Sequence, residues 1–92
     1  MAIEVRIPTI LRSYTGGQKS VEGSGSTLDE LFADLEGRYD GLRERLMDDS
    51  GLRRFINVYL NDEDVRFLGG LSAPVSDGDT VTVLPAVAGG AS

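Results

Sequence analysis

One stretch alone carries apolar side chains at the spacing of a long helix. Leu28, Leu31, Phe32 and Leu35 form a single stripe that runs through about Tyr39. Thr27 with Glu30 three residues later has capping-box spacing, and Asp29 and Glu30 complement the positive end of the helix. Gly37 or Gly41 ends or bends the helix. The other strongly patterned segments have period two. In residues 54–61, Ile56, Val58 and Leu60 share one face while Phe55, Asn57 and Tyr59 share the other, which makes this the strongest predicted strand. One helix among several half-buried strands has to lie across a sheet, so the chain is expected to be α+β with a mixed sheet wrapped around one main helix.

The first segment, residues 2–11, alternates Ile3, Val5 and Ile7 against Glu4 and Arg6. It is predicted as a strand, with Pro8 at an end or an edge because proline donates no ladder hydrogen bond. Residues 14–17 read as a turn and residues 18–22 as a weaker strand, together an N-terminal hairpin. Gly23-Ser24-Gly25-Ser26 reads as a short flexible break, Leu42 to Met47 as a short helical turn, and residues 48–51 as a loop. After strand 54–61 the pattern predicts a turn at 61–64, a short strand at Val65 to Phe67, and irregular chain at 69–72. Asp77-Gly78-Asp79 then turns the chain into a final strand at 80–84, with Val81 and Val83 inward and Leu84 outward. The expected order is β-β-α-β-β-β in one domain, residues 1–85, followed by a flexible tail, residues 86–92.

Composition removes several function classes. The 92 residues contain no His, Cys or Trp, so a Ser-His-Asp triad, a thiolate nucleophile and a Cys/His zinc site are impossible within the chain. A disulfide framework is excluded too, which suits a reducing compartment. The net charge of −6 disfavours nucleic-acid binding, which requires a basic face. No apolar run approaches the ~20 residues of a membrane span and no signal sequence opens the chain, so the expected setting is cytoplasmic. Gly16-Gly17 and Gly69-Gly70 lack the Lys-Ser/Thr sequel of a phosphate loop. The acidic turns at 61–64 and 77–79 lack a calcium loop's distal Glu, so no metal or cofactor site is expected.

The tail is the most informative segment. Pro85 to Gly90 is six residues, enough at ~3.3 Å each to reach roughly 20 Å from the last strand. Gly89 and Gly90 have no Cβ, so this end could pass a narrow channel and its carboxylate could be approached closely. The plain alternative is a frayed terminus with no role.

The chain resembles the ubiquitin-like sulfur carrier proteins, which include the thiamine carrier and the small subunit of molybdopterin synthase. It is most similar to the carriers of the O-phosphoserine-dependent cysteine pathway, which implies sulfur donation for cysteine synthesis. The resemblance runs through Ile7-Pro8-Thr9-Ile10-Leu11-Arg12, Thr15-Gly16-Gly17-Gln18-Lys19-Ser20-Val21 and Glu44-Arg45-Leu46-Met47-Asp48. It continues through residues 57–67 and Leu84-Pro85-Ala86-Val87-Ala88-Gly89-Gly90. It implies a β-grasp fold and a protein cosubstrate rather than an enzyme. Gly90 is then the residue that is adenylated and converted to a thiocarboxylate, with Gly89, Ala88 and Val87 as the slender segment threaded behind it. The implied partners are an E1-like adenylyltransferase/sulfurtransferase, a PLP-dependent cysteine synthase and a JAMM-type zinc peptidase. ATP and PLP belong to those enzymes. Because the chain continues through Ala91-Ser92, Gly90 requires their removal, unless the two residues are a cloning remnant. Thiamine or molybdopterin synthesis, protein modification through Gly90, and a passive interaction domain stand as alternatives. Lys19 is the only lysine, so chain building by such a modifier would be confined to it.

Phe55, Tyr59 and Leu84 are the candidate partner-binding residues. If Ile56, Val58 and Leu60 pack on the helix, these three face away from it near the root of the tail, as a docking patch or under partial cover by loops. The acidic surface serves solubility or steers the chain to a basic rim on a partner.

Overall fold

Thr27 starts the helix as its spacing predicts. Its hydroxyl accepts from the Glu30 N–H at 3.2 Å, while the Glu30 carboxylate reaches back to the Ser26 N–H at 2.8 Å. The computed structural model describes residues 2–85. Helix α1 spans Leu28–Glu36 and buries Leu28, Leu31, Phe32 and Leu35 completely. It lies against a five-stranded sheet built from β1 (Ile3–Arg6), β2 (Ser20–Gly23), β5 (Ile56–Leu60), β6 (Glu63–Asp64) and β7 (Thr80–Pro85). Between α1 and β5 come α2 (Leu42–Leu46) and a small separate hairpin, β3 (Met47–Asp48) with β4 (Gly51–Leu52).

The strand order is β2-β1-β7-β5-β6. Only β1 and β7 run parallel, with Val5 opposite Val81; the other pairings are antiparallel. Val5, Val21, Val58, Leu60, Val81 and Val83 all turn to the helix side and are buried, as period two requires. At roughly 25 cal/mol per Å2, each such side chain contributes about 1.5–3 kcal/mol to folding. This is the β-grasp arrangement, and the sheet-and-helix expectation holds.

Four sequence expectations are corrected, three in strands and turns and one at residues 23–26. The first strand ends at Arg6 rather than running to Leu11. The Ile7 N–H closes the hairpin on the Lys19 carbonyl at 2.8 Å, and Pro8 then cannot donate. The chain turns into a 3₁₀ segment, Thr9–Thr15, which buries Leu11 and turns Ile10 outward. Likewise Val65–Phe67 is a 3₁₀ turn, not a strand. Asn61 and Asp62 adopt positive φ, the geometry of a tight two-residue hairpin loop, so β6 pairs at once as Glu63–Asp64. The Asp64 carboxylate then caps the turn at the Arg66 N–H, 2.9 Å away. Finally, the loop predicted at 48–51 carries the β3–β4 pairing, closed by the Asp48 carboxylate on the Ser50 N–H at 2.8 Å.

The segment Gly23-Ser24-Gly25-Ser26 is close-packed, not a loose break. The Ser24 N–H donates to the Asp34 carboxylate at 3.0 Å, and the Val75 N–H donates to the Ser26 carbonyl at 3.0 Å. A Cβ on Gly25 would sit 2.8 Å from the Leu31 backbone nitrogen, and φ there is +158°. The glycine is therefore what lets the chain pass the first turn of α1 at contact distance. Gly25→Ala is expected to destabilise the fold by about 1–3 kcal/mol, read as a lower urea midpoint with an unchanged m-value. A midpoint equal to wild type would show that the contact relaxes freely.

Candidate functional site

The last strand is held on both sides. β7 takes β1 on one edge and β5 on the other, and Pro85 lies opposite Ile56. Residues 86–92 follow this anchored end. The predicted reactive Gly90 and the predicted threading residues Gly89, Ala88 and Val87 lie outside the described residues.

On the sheet face away from α1, Leu84 stands opposite Asn57 and Thr82 opposite Tyr59. Leu84 is 44% exposed and Tyr59 half-buried. Arg66 reaches over this face from the 3₁₀ turn: its guanidinium donates to Asn57 Oδ1 and, at 2.9 Å, to Asp64 Oδ2. That pairing holds the Asp64 carboxyl below the usual carboxylate range and raises Arg66 in turn. One loop thus partly covers the face while leaving Leu84 open. Phe55, 63% exposed, precedes β5 and lines a different feature.

That feature is a groove of about 340 Å3 lined by Ile10, Leu11, Arg45, Arg53, Phe55 and Ile56. Of the three residues expected to form one patch, Phe55 lines it and Tyr59 and Leu84 do not. Ile10, Arg45 and Arg53 were not singled out from sequence. Ile10 sits in what alternation presents as a strand, and only Pro8 signals that the alternation breaks there. The arginines gain meaning from distant partners. Arg45 Nε donates to the Tyr14 hydroxyl at 2.6 Å, and its guanidinium lies 5.4 Å from that ring's centroid. Arg53 Nε donates to the Glu44 carbonyl at 2.6 Å, with Nη1 at 3.7 Å from Asp48.

Arg45 is carried by α2, which Glu36 holds in place. The Glu36 carboxylate accepts from the Gly41 and Arg43 N–H groups at 3.0 Å each, bridging the end of α1 to the start of α2. These backbone donors lower its pKa from the ordinary value of 4.5. Among the described residues no cluster of three or more acidic side chains is placed to hold a metal ion, and no helix is long and apolar enough to cross a membrane.

Comparison with known proteins gives the following. The model of the ThiS family matches residues 5–90. The sulfur carrier protein CysO of Mycobacterium tuberculosis (strain ATCC 25618 / H37Rv) is 61% identical over 93 residues, covering 98% of this chain and 100% of the relative. A chain from the crystal structure of the Amycolatopsis orientalis BexX/CysO complex superposes with a TM-score of 0.91 at 62% identity, covering 97% of this chain and 100% of that one. Small archaeal modifier protein 3 of Haloferax volcanii is 37% identical, covering 98% of this chain and 100% of the relative.

A carboxyl whose folded pKa is lowered lends stability fully above its unfolded pKa and loses it as pH falls through the folded value. Glu36 therefore contributes above about pH 4.5 and progressively less below it. Glu36→Gln is expected to unfold at lower urea than wild type near neutral pH, with the gap narrowing in acid. Urea midpoints measured between about pH 7 and about pH 3 check this. A gap constant across that range would assign the variant's cost to something other than the charged carboxylate.

Proposed function

We propose, from the premise that this chain belongs to the ThiS family, that it is a sulfur carrier whose reacting group is the carboxylate of Gly90. A protein of this kind is a substrate of its partner enzymes, which agrees with a chain devoid of His and Cys. The observation that carries the reading is the anchoring of β7: β1 pairs with Thr80 to Thr82 on one edge and β5 pairs with Val81 to Pro85 on the other, so whatever follows Pro85 starts from a residue still paired into the sheet.

In this reading a peptidase first removes Ala91-Ser92. An E1-like enzyme then joins the Gly90 carboxylate to AMP from ATP, releasing pyrophosphate. A sulfide equivalent attacks the acyl-adenylate carbon and expels AMP, leaving the thiocarboxylate. Val87, Ala88, Gly89 and Gly90 offer little side-chain bulk, so they suit a narrow channel between two active sites. The similarity to CysO favours cysteine synthesis on a PLP-dependent synthase as the destination of the sulfur, followed by release by a JAMM-type zinc peptidase. ATP, PLP and zinc then belong to the partners. Tyr59 and Leu84 form the face on which the activating enzyme docks.

Intact-mass measurement on protein from its native cells tests the chemistry. The expected species ends at Gly90 and, with activating enzyme, ATP and sulfide, gains the mass of one oxygen replaced by sulfur. Deleting Gly90 should abolish that gain. Sulfur transfer by unprocessed chain ending at Ser92 would overturn the maturation step, and a ladder of larger conjugates in place of the thiocarboxylate would favour a modifier. For docking, Tyr59→Ala with Leu84→Ala is expected to raise the KM for the carrier about tenfold at unchanged melting temperature; an unaltered KM removes this face from the account.

A further inference from the structure

The groove beside the end of β7 combines an apolar floor with a charge opposite to that of the molecule. Ile10 and Phe55, 62% and 63% exposed, stand open to solvent over the buried Leu11 and Ile56. Exposed side chains of this size, gathered around one cleft, leave apolar area that a partner can cover. Among the described residues the only charged side chains lining it are arginines, Arg45 and Arg53, although acidic residues outnumber basic ones fifteen to nine.

Both guanidiniums are held by hydrogen bonds within the chain. Arg45 is fixed by the Tyr14 hydroxyl and stacked on its ring, and Arg53 is tied to the Glu44 carbonyl. Arg53 has Asp48 as an ion-pair partner, whereas among the described residues no carboxylate pairs with Arg45. A fixed, exposed guanidinium loses less side-chain freedom when it meets a carboxylate than a free one does. Ile56 lines the groove and also pairs with Pro85, so whatever occupies the groove stands at the base of the tail.

We infer that this groove seats an apolar side chain of a partner protein whose neighbouring residues are acidic, with Arg45 receiving one of its carboxylates. The occupant is a protein segment of aliphatic or aromatic character flanked by Asp or Glu. The inference deepens the carrier reading and rests on it only for the partner's role, that of an enzyme acting on the tail. The charge pattern supplies discrimination: a surface steered by the chain's overall negative charge is basic, whereas the segment entering this groove is acidic, so a productive partner needs both signs in register.

The test uses the full chain, 15N-labelled, titrated with a synthetic peptide of two leucines flanked on each side by two glutamates. A second peptide carries lysines in place of the glutamates. The acidic peptide is expected to shift the amide signals of Ile10, Leu11, Arg45, Arg53, Phe55 and Ile56, and to bind more weakly as salt rises. Ile10→Asp, a change at an exposed site that leaves the core intact, should weaken binding at least about fivefold. Arg45→Gln should do the same and flatten the salt dependence.

Equal binding of the lysine peptide, shifts confined to the Tyr59 and Leu84 face, or no shifts at all would overturn the inference. So would groove shifts reproduced by truncation after Pro85, which would make the chain's own tail the occupant, or by raising protein concentration alone, which would make it a second copy. Thiocarboxylate formation is read separately by mass. A chain that takes up sulfur but ignores the acidic peptide overturns the groove and leaves the carrier reading standing, whereas one that binds the peptide but never takes up sulfur does the reverse.

Discussion

The parallel contact between β1 and β7 is the constraint on which the other parts depend. It joins Val5 to Val81, near the two ends of the chain, in the middle of the sheet. Parallel neighbours cannot be joined by a tight turn, so the whole intervening chain becomes the connection between them. That connection has to supply the cover for the apolar face the pair creates, and α1 supplies it with four fully buried side chains. Closing so long a loop costs entropy that local contacts do not repay. The return comes when closure joins two valine pairs into one face: Val5 with Val21 of the N-terminal hairpin, and Val83 with Val58, meet through Val5 opposite Val81.

The same contact determines where function resides. β7 is paired to β1 through Thr82 and to β5 through its last residue, so Pro85 is held beside Ile56. For a member of the ThiS family, acting as a substrate rather than as a catalyst, this is the property that matters: the body holds the root of the tail and presents two surfaces beside it. One is the outer sheet face with Leu84 open, Tyr59 half-buried and Arg66 hydrogen-bonded to Asn57. The other is the groove of Ile10 and Phe55 walled by arginines. The two differ in chemistry, and the proposed docking of the activating enzyme and of an acidic segment assigns one to each.

Much of this was legible in the residues. Leu28, Leu31, Phe32 and Leu35 announce a buried helix because helical spacing repeats over several turns, and Thr27 with Glu30 marks its start. Ile56, Val58 and Leu60 announce an inward strand face for the same reason at period two. What failed were places where one residue outweighs a pattern. Pro8 ends the first strand because the ladder needs an N–H it lacks, and so Ile10 turns outward instead of continuing the alternation. Asp64 pulls Val65–Phe67 into a 3₁₀ turn by capping an N–H that a strand would have used for pairing. Gly25 looks like a hinge in the sequence and is a point of contact in the fold, because its lack of a side chain answers to the Leu31 backbone and not to any local need.

The sequence by itself determined the fold class, the helix and its cap, the inward faces of the strands, the exclusion of a Ser-His-Asp triad and of a thiolate, and the glycine-rich end, since each depends on residue type or on spacing within one segment. Only the tertiary structure decided that Phe55 and Ile10 line one groove, and that Arg45 is braced by Tyr14, thirty-one positions away. It likewise decided that the final strand lies interior between β1 and β5. Those are pairings between segments remote in the chain, and spacing within a segment carries no record of which other segment will lie beside it.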